Sequence, residues 1–150
     1  MSQYPSSYKG KRRDQSGPTI FTQIGAALSG IWKLFVKQRG PSLNSAALRK
    51  QFDEIERLLS SNDAVHAAQA VVRADSFLDN LMREVGGQGS SFADRLRNLE
   101  TKFSADIYQQ IWSAHKLRNA IAHEHPTVSV AQARSALQVF RRAASQLGAF

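Results

Sequence analysis

From Ser45 to Leu147 the apolar residues recur at steps of three and four, with no convincing strand-like alternation. A period near 3.6 buries one face of a helix, whereas a half-buried strand needs a period of two. That pattern points to an all-helical (all-α) fold. Leu48, Phe52, Ile55 and Leu59 share one face of a predicted helix from about Ser45 to Leu59. A second, from about Asp63 to Val85, carries Val71, Ala74, Leu78, Leu81 and Val85. GGQGSS then breaks the chain, and Ser91 with Asp94 three residues on makes a capping-box pattern for a short segment facing inward through Phe92, Leu96 and Leu99. A third long helix is predicted from near Ser104, with Ile107, Ile111, Ala114 and Ile121 as its stripe, until Pro126 stops it. Ser129 and Gln132 open the last helix, whose stripe runs from Val130 through Ala133, Leu137, Phe140 and Ala144 to Leu147, with Gly148 suited to its end. One stripe per element and short connections predict an antiparallel bundle of four to five helices over residues 44–148.

The N-terminal third reads differently. Residues 1–18 are rich in Ser, Gly, Pro, Lys and Arg and read as a disordered basic arm. Residues 19–39 form a predicted amphipathic helix, with Ile20, Ile24, Ala27, Ile31 and Leu34 on its apolar side, ended by Gly40 and Pro41. The formal charge of the chain is +8, and residues 1–50 hold nine Lys and Arg against one acid, Asp14. Residues 51–150 hold eleven of each sign, so the whole excess is N-terminal. Lys9, Lys11, Arg12, Arg13, Lys33, Lys37 and Arg39 are therefore the candidate polyanion-binding residues. Two uses of the amphipathic segment stand level: lying on an anionic membrane surface, or packing on the bundle or a protein partner. Contact of the arm with nucleic acid is a third. The absence of cysteine excludes disulfides, thiolate nucleophiles and Cys-type zinc sites. With no run of about 20 apolar residues and no secretory layout, the expected location is the cytoplasm, with peripheral attachment at the inner face of the membrane as the added option.

The residues that a packing helix does not need lie in HKLRNAIAHEHP, residues 115–126. Arg118 falls on the third long helix's stripe, four after Ala114 and three before Ile121. A charge there is costly unless it is paired or opens into a cleft. Asp75, four after Val71 and three before Leu78, is the natural partner, and an Arg118–Asp75 ion pair between helices is the structural reading. Asn119 and His123 stand four apart and so stack on one side of the helix.

RNAIAH, residues 118–123, resembles the R-x4-H signature of HEPN domains, all-helical bundles of prokaryotic toxins, defence systems and nucleotidyltransferase partners. AVVRADSFLDNLMRE, FADRLRNLE and IWSAHKLRNAIAHE are similar to uncharacterised HEPN-like proteins of small-genome uncultured bacteria, a likeness spanning about residues 44–148. The resemblance implies a metal-independent ribonuclease. In that chemistry His123 acts as general acid or base, Arg118 stabilises the scissile phosphate, and Asn119 orients the phosphate or the imidazole. It also implies a homodimer, since one imidazole cannot comfortably serve as both base and acid and two motifs meeting in a C2 cleft across the third and fourth long helices remove the difficulty. Many HEPN-like domains are non-catalytic scaffolds, and the zero net charge of residues 51–150 suits RNA poorly. The alternative function is therefore an interaction module.

Other motifs carry less. His115, His123 and His125 lack metal-site spacing: no His pair is four apart, and Glu124 is the one obvious carboxylate beside them. No metal or cofactor is expected. His66 reads as a surface residue. GGQGSS lacks the Gly-Lys-Ser/Thr ending of a phosphate loop and reads as a helix stop and connector.

Overall fold

The computed structural model describes residues 43–150. The predicted arm, the amphipathic segment and all seven candidate polyanion-binding residues lie outside them. Among the described residues the structure is helical throughout, with five α-helices and no strand. They are α1 (Ser45–Arg57), α2 (Ala64–Glu84), α3 (Phe92–Asn98), α4 (Ala105–Glu124) and α5 (Val130–Gln146). Single 3₁₀ turns, Leu58–Ser61 and Glu100–Lys102, follow α1 and α3.

Each helix starts where a side chain satisfies its free N–H groups. Asn44 accepts from Ala47 N at the head of α1, and Ser104 from Ile107 N at the head of α4. Asp63 accepts from Val65 N and His66 N at α2, and the His66 N–H above all holds its carboxyl down to a pKa of about 2. Ser91 with Asp94 and Ser129 with Gln132 both close full capping boxes, as their spacing predicts. The ends follow local chemistry too. The α1 helix stops at Arg57, short of the Leu59 expected from periodicity, because the chain tightens into a 3₁₀ turn that leads to Asn62 in the left-handed region. The α4 helix ends on His125, itself left-handed at φ 51°, directly before Pro126.

The α2 helix is the hub and packs against α1, α3, α4 and α5. Phe52, Leu78, Leu81, Met82, Leu96, Ile111, Leu137 and Phe140 are sealed from solvent between them. Each such large side chain contributes roughly 1.5–3 kcal/mol through its burial. The α2 and α5 helices form the most extensive contact, and both bury alanines: Ala67, Ala70 and Ala74 on one, Ala133, Ala136, Ala143 and Ala144 on the other. Side chains that small let two helix backbones approach closely. At one end of the core the rings of Phe52 and Phe77 meet edge-on at 5.2 Å, and Phe150 stacks on Phe77 at 6.2 Å.

Ala70, fully buried, should tolerate no larger residue, and Ala70→Leu should destabilise the domain by about 1–3 kcal/mol in chemical denaturation. An Ala70→Leu variant as stable as the wild type would mean that α2 is not closely packed there.

Candidate functional site

The polar residues that the core admits gather where α2, α3 and α4 meet. Asp75 follows Ala74 on α2 and is buried, with 6 % of its side chain exposed. A buried carboxylate must be compensated by donors or by opposite charge. His115 of α4 supplies a hydrogen bond from Nδ1 to Asp75 Oδ1 at 2.7 Å. An ionised carboxylate only accepts, so this contact fixes Nδ1 as the protonated nitrogen. The opposite ring nitrogen, Nε2, has no protein partner among the described residues. Phe92, the first residue of α3, lies flat on the imidazole, with ring centres 4.0 Å apart and planes 2° from parallel.

Arg118 joins from one turn further along α4. Its Nε lies 3.6 Å from Asp75 Oδ2, an ion pair but beyond a hydrogen bond, and that buried Nε finds no acceptor. Its Nη1 donates to Asn119 Oδ1 at 3.2 Å. The Arg118 side chain is 32 % exposed and borders an open cleft of about 430 Å³. Asp75, Asp79, Asn80, Phe92 and His115 also line it.

A second ion pair braces the same region. Arg95 of α3 is buried and grips Asp79 with two hydrogen bonds, Nε to Oδ1 at 2.9 Å and Nη2 to Oδ2 at 2.8 Å. Its Nη1 donates to the Gly89 carbonyl at 2.7 Å. Gly89 sits at φ +126°, and a Cβ there would come within 2.2 Å of Asp94. Only glycine fits, so GGQGSS is more than a helix stop: its third glycine delivers a carbonyl to Arg95.

The candidate residues thus divide. The Asp75–Arg118 pair expected from the sequence is present. Arg118 and Asn119 touch, but Asn119 does not line the cleft. His123 is exposed in the last turn of α4, makes no hydrogen bond or ion pair among the described residues, and does not line the cleft either. Within one copy, then, His123 does not share a cleft with Arg118. Sequence reasoning leaves two residues out of the site: His115, weighed only as a metal ligand, and Arg95. Both had a signal: His115 stands four after Ile111 and three before Arg118, and Arg95 stands three after Phe92 and four before Leu99. His66 is exposed as read, bonded through Nδ1 to Asp63 at 2.6 Å. Among the described residues no three of His, Asp and Glu gather as metal ligands, and no helix is long and apolar enough to cross a membrane.

Removing Arg95 strands Asp79, whose side chain is only 19 % exposed and keeps Arg83 alone as a cation. Arg95→Ala should cost about 3 kcal/mol or somewhat more. A double-mutant cycle with Asp79→Ala, read by urea denaturation, should return a coupling of about 1–3 kcal/mol. Coupling near zero would mean that this pair does not fasten α3 to α2.

Comparison with families of known proteins, with characterised proteins and with solved structures finds no match to the chain.

Proposed function

We propose that the chain is a HEPN-like antiparallel helical bundle that works as a non-catalytic interaction module, in which Arg118 has a structural role. The observation that carries this reading is the hold of Asp75 on Arg118, with Nε sealed beside the carboxylate while His123 stands apart and exposed. Charge adds to it. Residues 51–150 carry eleven acids and eleven bases, which is a weak field for a polyanion. In this reading the basic N-terminus is the part that meets a polyanionic surface. Lys9, Lys11, Arg12, Arg13, Lys33, Lys37 and Arg39 hold an anionic membrane at the cytoplasmic face, with the apolar side of residues 19–39 laid into the headgroups.

One observation favours a second reading, the metal-independent endoribonuclease of a toxin–antitoxin or defence system. Arg118 Nη1 is already turned to Asn119, and His123 follows Asn119 by four residues on the same side of α4. A homodimer that seats a second copy along α4 and α5 supplies the other imidazole. A shallow groove there, lined by Ala114, Leu117, Ala136 and Val139, is the surface this reading requires.

One experiment separates the two. Mixed-sequence RNA is incubated in EDTA with the wild type, His123→Ala and Arg118→Ala. The module reading expects no cleavage by any of them, and an Arg118→Ala variant destabilised by about 1–3 kcal/mol, a range that allows for the partial exposure of the pair. Wild-type cleavage lost in both variants, with their helical circular dichroism intact, would establish the ribonuclease instead. For the N-terminus, sedimentation with vesicles should carry down the chain when the lipid is anionic and leave it in solution when it is neutral. Replacement of Lys11, Arg12 and Arg13 by glutamine should weaken that binding, and equal binding to both vesicle types would remove the electrostatic part of the proposal.

A further inference from the structure

We draw no further inference here: the strongest candidate, the uncharged groove between α4 and α5 lined by Ala114, Leu117, Ala136 and Val139, is an unpartnered apolar face, and nothing in the structure shows what covers it.

Discussion

A buried carboxylate makes the heaviest demand on this structure. Asp75 sits in the helix that every other described helix packs against, with 6 % of its side chain exposed. Left alone, a charge so placed would be expelled or neutralised. It is kept by one hydrogen bond from His115 and one ion pair from Arg118, both on α4. Those two residues are three apart, so one helical face presents a donor and a cation to one carboxylate. The requirement passes outward. His115 can hold its bond only while its ring keeps its orientation, and Phe92 from α3 lies flat on that ring. The α3 helix is seven residues long, too short to persist by itself, and Arg95 fastens it to Asp79 of α2. Three helices are thus tied through two acids one turn apart.

Much of this fold was legible from periodicity. The stripes of α2 and α5 and both capping boxes fall where the spacing puts them, because burial and end-capping are local consequences of local sequence. The ends were less legible. Whether α1 continues to Leu59 or tightens at Leu58 depends on the turn to Asn62 that follows, not on its own apolar pattern. The Asp75–Arg118 pair was readable because both residues interrupt apolar stripes and each needs the other's charge. Asp75–His115 was not, because a histidine on a stripe need not be charged and raises no such alarm. Arg95 stayed hidden for a related reason: attention to a capping box explains Ser91 and Asp94 and leaves the next residue looking like surface. The partners lie 40 and 16 residues apart, and only the packed helices bring them together.

The two arginines show how similar surroundings can leave two guanidinium groups in different states. Both face α2 carboxylates. Arg95 meets its acid edge to edge, and the Gly89 carbonyl takes the third nitrogen. All three of its nitrogens are engaged within the protein, and burial of such a group tightens the fold without offering a surface. Arg118 approaches Asp75 at 3.6 Å through Nε, which is enough for attraction and too far for a hydrogen bond. Its charge is balanced while most of its donors remain open. A residue can therefore stabilise the bundle and still bind a ligand, and loss of stability in a variant does not by itself argue against a binding role.

Helix geometry also bears on how RNAIAH can act. Residues five apart on an α-helix differ by about 140° around the axis and about 7.5 Å along it. Arg118 and His123 therefore diverge on a regular α4, whereas His115 and Arg118, three apart, differ by only about 60°. This is the arrangement found: the pair three apart shares Asp75 and a cleft, and the histidine five residues on stands exposed and alone. For Arg118 and His123 to act on one phosphate, something must span the angle between them. Asn119 covers part of it, since it contacts Arg118 and lies on the side of His123. The remainder has to come from a second surface laid against the end of α4. Joint action of Arg118 and His123 on one phosphate would thus require an assembly, whereas the Asp75–His115–Arg118 group forms within a single copy.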